Sequence, residues 1–238
     1  MQGDGDGWSR GPGGDKRWGR FGAAGLLLRA PSERGPVVLL QHRAFWSHHG
    51  GTWGLPGGAR DSHESTAEAA LREAAEEAGV RAGDVLVRAE RVTSQVPHGW
   101  RYTTVVADAQ QQLVTHRNGE STELRWVAEQ DVAALPLHPG FAASWPMLSA
   151  RPLRLFVDPA TLGSSIASHD LPTAFPRTLE LPGGAFGWVR QPETDFVPDA
   201  LRHTDAWCVV VTADPALRDQ LHSDVQTMEP AALLGWLG

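Results

Sequence analysis

The stretch GTWGLPGGARDSHESTAEAALREAAEEAGV, residues 51–80, decides the reading of this chain. It passes from a glycine-proline loop into an alanine-rich run carrying Glu68, Glu73, Glu76 and Glu77. Ser65 followed three places later by Glu68 spells a capping box, so a helix is expected from about residue 66. Gly79 suits the left-handed position that ends it. The alanines favour helix and allow close packing on a sheet. At about 100° per residue, Glu73, Glu76 and Glu77 share one face. Like charges there repel by roughly 0.2–0.5 kcal/mol per pair, and helix propensity asks for no such cost. A hard divalent cation removes it. Mg2+ or Mn2+ takes oxygen ligands and bridges carboxylates to substrate phosphates. Gly57 and Gly58, lacking side chains, let backbone groups approach the same ion or a phosphate.

Gly58, Glu64 and then Arg72-Glu73-Ala74-Ala75-Glu76-Glu77-Ala78-Gly79-Val80 stand at the spacing GX5EX7REUXEEXGU. The chain therefore resembles the Nudix hydrolases, with Ala74 a small residue at the first U. Every fixed position matches, an event on the order of 10⁻⁶ by chance at average residue usage. The resemblance implies hydrolysis of a diphosphate linked to another moiety, by water attack at phosphorus with divalent-metal help. It implies Glu76 and Glu77 as metal ligands and Glu73 as a further ligand or the base. It also implies that the carbonyl of Gly57 completes the metal site and that Arg72 pairs with Glu64 to hold the loop on the helix. The base varies within the family; Glu120 or Glu123, just before a strand, is placed to serve. Mg2+ is the implied cofactor, with Mn2+ able to replace it. The expected substrate is a nucleoside triphosphate, ordinary, methylated or oxidised, cleaved to monophosphate and pyrophosphate. ADP-ribose, a dinucleotide or a nucleotide sugar is the enzymatic alternative. A non-catalytic nucleotide-binding or regulatory module is the alternative from another class, and the intact glutamates weigh against it.

Apolar, β-branched runs predict strands at residues 21–29, 37–42, 85–96, 100–107 and 124–127, and short helices at 130–135 and 141–148. Their interleaving gives an α/β (α+β) class. The resemblance implies a Nudix-type α/β/α sandwich with a mixed sheet over residues 17–150. Residues 1–16, with six glycines by residue 14, are expected as a flexible lead-in. From Pro152 prolines recur and periodicity weakens. Regularity returns with a strand at 207–212 and helices at 215–221, capped by Asp214, and 230–237. Residues 151–238 are thus read as a small C-terminal α/β domain of unknown role, a packing or dimerisation appendage, so a homodimer is one expected state. LPGG at 181–184 repeats residues 55–58, yet no glutamate-bearing helix follows, so it reads as a turn. Asp158, Asp205 and Asp214 faintly resemble the strand acids of PIN-like or NYN-like nucleases, but the region is short for such a domain.

On the substrate side, QHRAFWSHHGGTW gathers Arg43, Trp46, His48 and His49 as a pocket rim: cations for phosphates, aromatics for stacking. Arg20 and Arg101, at strand starts, are further candidates for a phosphate. Trp18, Trp126 and Trp145 are read as core. A net charge of −7 argues against a duplex nucleic-acid binder. Cys208 is the single cysteine, which excludes an internal disulfide and points to a reducing compartment. The apolar run 21–28 is too short for a bilayer. The expectation is a cytoplasmic enzyme acting on a small nucleotide, with no membrane partner.

Overall fold

The glycine-rich start, expected to be loose, carries instead a small antiparallel hairpin of β1 (Trp8–Arg10) and β2 (Lys16–Trp18). Trp8 meets Trp18 edge-on with centroids 5.5 Å apart. Gly19 N–H donates to the Gly7 carbonyl and Arg20 N–H to that of Gly5, each at 2.8 Å. Aromatic contact and these backbone bonds offset the entropy that the glycines lose. Trp18 is 45% exposed and belongs to this hairpin, so the core role expected of it is corrected; Trp145 is buried, and Trp126 packs on the core half-buried. The computed structural model describes residues 3–11, 13–14, 16–161, 177–195, 197–198, 201 and 207–237. They fall into two compact units, Met1–Ser149 and Ala150–Gly238.

The first unit is built on a mixed seven-stranded sheet. Its strands are β3 (Ala23–Ser32), β4 (Gly35–Arg43), β5 (Trp53–Gly54), β6 (Gly57–Ala59), β7 (Val85–Gln95), β8 (Arg101–Ala109) and β9 (Ser121–Ala128). The order is β5-β4-β3-β8-β7, with β6 on β3 and β9 on β4. Only the central β3–β8 pair among these is parallel, and β3 is buried along eight residues, which explains its unbroken apolar run. Helix α1 (Thr66–Ala78) packs Ala69, Ala70, Ala74 and Ala78 against Ala24, Leu26, Leu28, Val105 and Ala107. Four alanines on its inner face let it sit close to the sheet. The expected helix at 130–135 is a 3-10 turn, Glu129–Ala134, followed by α2 (Pro139–Leu148). Glu129 forms a buried bidentate pair with Arg29 at 2.9 Å, tying this turn to β3.

The second unit has β10 (Ala150–Val157), β11 (Arg177–Glu180), β12 (Phe186–Glu193), β13 (Trp207–Val211), helix α3 (Pro215–Gln220), β14 (Gln226–Met228) and α4 (Pro230–Leu237). Strand order is β11-β12-β10-β13-β14, parallel from β12 onward. LPGG at 181–184 is the turn between β11 and β12, closed by Gly184 N–H on the Leu181 carbonyl. Asp214 caps α3 by accepting from Ala216 N–H. The Asp158 carboxylate accepts from Thr161 and Thr212 and so is engaged within the fold; Asp205 lies outside the described residues. No described helix is long and apolar enough to cross a membrane.

Candidate active site

Both halves of the capping box form: the Ser65 hydroxyl accepts from Glu68 N–H, and the Glu68 carboxylate accepts from Ser65 N–H at 2.8 Å. Gly79 ends α1 at φ 72°, its N–H on the Ala75 carbonyl. These caps fix the rotation of α1 and therefore the depth of each acid. Glu77 is 4% exposed, while the side chains of Glu73 and Glu76 are 15% and 60% exposed. The shared face thus runs from interior to solvent.

Strand β6 lies antiparallel on β3, with Gly57 and Gly58 opposite Gly25 and Ala24. Gly57 meets Glu77 through its amide: the N–H donates to Glu77 Oε2 at 2.7 Å. The side-chain amide of Gln41 donates to the same oxygen at 3.2 Å and to the Leu55 carbonyl. A Cβ on Gly58 would stand 2.6 Å from the Glu73 carboxylate, so glycine makes room for that acid. One on Gly57 would stand 2.5 Å from backbone atoms of Ala24 and Gly25. Arg72 forks onto Glu64 at 2.7 and 3.1 Å and reaches Glu73 Oε1 and the Ala59 carbonyl, each at 2.8 Å. One guanidinium thereby joins helix, loop and glycine strand.

Burial pushes the Glu77 carboxyl up to about 8; its bond from Gly57 opposes this, and the charges of Glu73 and Glu120 add to it. Burial also raises Glu73, against the pull of Arg72. Glu64 is held below the usual carboxylate range by Arg72. The Tyr102 hydroxyl is raised by burial and by the Glu77 charge, and it fills the space a side chain on Gly25 would need. Gln41 and Tyr102 were not foreseen from sequence. A glutamine inside the apolar run VVLLQH and a lone tyrosine at a strand start were their only signals. The donor set here is carboxylate oxygen, and both hydrogen bonds to Glu77 end on Oε2. A buried carboxyl raised by burial, with Glu77 Oε1 outside those bonds and Glu73 beside it, fits a hard divalent cation.

The family model for the NUDIX domain matches residues 19–148, more than half of the chain. The chain belongs to the Nudix family. Like other Nudix hydrolases it acts on diphosphate linkages with a divalent metal. A protein of Mycobacterium tuberculosis described as putative 8-oxo-dGTP diphosphatase 3 is 53% identical over 206 residues, 84% of this chain and 91% of the relative. That span exceeds the 149 residues of the first unit, so the likeness runs into the second. The crystal structure of the Nudix hydrolase RenU from M. smegmatis superposes with a TM-score of 0.58 at 59% identity, covering 60% of this chain and 92% of that one. A nucleoside triphosphate pyrophosphatase/Nudix hydrolase fusion protein of Bifidobacterium longum is 40% identical over 62% of this chain, which spans 31% of the fusion.

Around the Nudix helix the remaining candidates separate. Glu120 lies close enough for its charge to act on both Glu73 and Glu77. Glu123 is paired with Arg125 on the exposed side of β9. Arg43 acts electrostatically on Glu77 and on His48, and its Nε donates to the His48 carbonyl. Phe45 and Trp46 project from the same loop, 76% and 77% exposed. His48 and His49 stand together and meet His138, a residue passed over in the sequence. Arg20 lies against Gly7 of the N-terminal segment and Arg101 is exposed at the start of β8; among the described residues neither bonds to a box carboxylate.

Proposed function

We propose that the chain hydrolyses a nucleoside triphosphate, oxidised ones such as 8-oxo-dGTP included, to the monophosphate and pyrophosphate, using Mg2+ or Mn2+. One observation carries this reading: the buried Glu77 and the half-buried Glu73, both raised by burial, meet the glycine strand β6, where Gly57 N–H binds Glu77 and Gly58 makes room for Glu73. The 53% identity to the M. tuberculosis protein supports the nucleotide substrate. A bound cation supplies phosphoryl polarisation and a more acidic water. Glu73, Glu76 and Glu77 would hold it through carboxylate oxygens. Gln41 and Gly57 orient Glu77, and Arg72 steadies Glu73 and Glu64. Glu120 takes a proton from water as the water oxygen bonds to one of the two phosphorus atoms of the α–β bridge and the bridging P–O bond breaks, releasing monophosphate and pyrophosphate. Trp46 stacks on the base, while Arg43 and the loop histidines face the phosphates. Cys208, the single cysteine and buried, suits a reducing cytoplasm.

Incubation of dGTP, 8-oxo-dGTP, ADP-ribose and a diadenosine polyphosphate with the protein and either metal, with products separated by chromatography, tests the proposal. Monophosphate and pyrophosphate should come from the triphosphates, with 8-oxo-dGTP giving the highest kcat/KM. Preferential cleavage of ADP-ribose or the dinucleotide would replace this reading.

A further inference from the structure

His48, His49 and His138 bring one ring nitrogen each to within 4.8 Å of one another. Ring centroids are 4.0 Å apart for His48 and His49, and 4.8 Å for His49 and His138. Three imidazoles at this spacing invite a transition metal. The tautomer of His138 argues otherwise. Pro139 excludes the helical conformation from the residue before it, so α2 begins at Pro139 with His138 as its N-cap. An N-cap side chain accepts a hydrogen bond, and Gly140 N–H donates to His138 Nδ1 at 3.2 Å. A ring nitrogen that accepts carries no proton, so the proton of the neutral ring sits on Nε2. That nitrogen donates and has no lone pair for a metal. Burial first, then Arg43 and the other two histidines, push the ring down to about 4, so it stays neutral near pH 7.

The backbone places this donor beside β5. Trp53 N–H donates to the Pro136 carbonyl and His138 N–H to that of Trp53, at 2.9 and 2.7 Å, which lays residues 136–138 along β5. His138 Cβ and Arg43 Cδ both lie against Gly54, at 3.8 and 3.9 Å from where its side chain would begin. Gly57, the partner of Glu77, follows in the same stretch. On the loop side, His49 has φ 56°, the one positive value among described non-glycine residues. Such backbone costs on the order of 1 kcal/mol and is held where the surroundings require it. Here Thr52 Oγ1 and Arg43 Nε bind the His49 and His48 carbonyls. Arg17 of the N-terminal hairpin also acts on His48. Arg43, His48 and His49 act on His138, and Arg43 and Arg17 act on His48.

We infer that His138 donates its Nε2–H to a phosphate oxygen at the far end of the substrate's phosphate chain, the part that leaves as pyrophosphate. The Arg43 guanidinium beside His138, with Arg17 acting on His48, suits the multiply charged terminal phosphates better than the uncharged nucleoside. The inference rests on the triphosphate reading above. Its test is calorimetric binding of two probes, pyrophosphate and dGMP, each with Mg2+, to the wild type and to His138→Asn. Asparagine keeps an acceptor for the N-cap and removes the Nε2 donor. Pyrophosphate should bind the variant about ten- to hundredfold more weakly, with dGMP affinity unchanged and Tm within about 2 °C of wild type. Equal pyrophosphate affinity, loss of dGMP binding alone or of both probes together, or stoichiometric Zn2+ in the wild type that the variant lacks would overturn it. Because the readout is binding, failure of the substrate panel would sink the functional reading without deciding His138.

Discussion

Two adjacent glycines should fail in opposite ways when given a methyl group. In Gly58→Ala the new Cβ would stand 2.6 Å from the Glu73 carboxylate, against at least 3.4 Å for ordinary contact. The carboxylate must retreat by about 0.8 Å, which a side-chain terminus does cheaply. Stability should hardly change, with Tm within about 2 °C, while displacement of an acid that orients the metal and water should lower kcat by about 10²-fold. In Gly57→Ala the Cβ would stand 2.5 Å from the Ala24 carbonyl and Gly25 Cα, which belong to the central strand and cannot swing aside. Overpacking of this kind costs roughly 1–3 kcal/mol, a Tm loss of about 2–12 °C for a unit of this size. Thermal melts and initial rates on both variants give the comparison. A Gly58→Ala enzyme with wild-type kcat, or with a melting loss as large as that of Gly57→Ala, would refute the assigned positioning of Glu73.

Other outcomes follow from the same geometry. Glu120→Gln should lower kcat at least tenfold and Glu123→Gln should leave it within about twofold, because only Glu120 is close enough to act on Glu73 and Glu77; steady-state rates decide. Arg72→Lys should cost about 1–3 kcal/mol by denaturant unfolding, since lysine cannot reproduce the fork onto Glu64 together with the bonds to Glu73 and the Ala59 carbonyl. Trp46→Ala should raise KM for dGTP with Tm unchanged, the ring being 77% exposed. Glu77, raised in the fold to about 8 from an ordinary 4.5, favours the metal-free fold most below pH 4.5 and loses that contribution as pH rises toward 8. A cation that binds the ionised form reverses this, so Mg2+ should raise Tm more at pH 8 than at pH 6, and Glu77→Gln should abolish the difference.

What could be read from the sequence was local or fixed by spacing. The capping box and Gly79 set the ends of α1 within a residue, because cap chemistry depends on neighbours along the chain. β3, β4 and β8 showed as apolar runs because burial on both faces demands them. The hairpin was hidden because Trp8 and Trp18 stabilise it across a glycine-rich gap that by composition should not order. β11 and β12 were missed because FGWV shows no alternation when its residues are all buried. Gln41, Tyr102 and His138 escaped for a shared reason: each reaches its site through a strand register or a helix cap set by distant contacts. His138 shows this most clearly, since Pro139 made it a cap but only the contact of residues 136–138 with β5 brought it to the loop histidines.

Titration of Mn2+ into the metal-free protein and into Glu77→Gln, with free ion counted by electron paramagnetic resonance and pyrophosphate present and absent, bears most directly on the central claim. The wild type should take up the ion, more tightly with pyrophosphate, and the variant should bind at least tenfold more weakly. No uptake by the wild type, or equal uptake by both proteins, would contradict the assignment of the α1 glutamates as a metal cage.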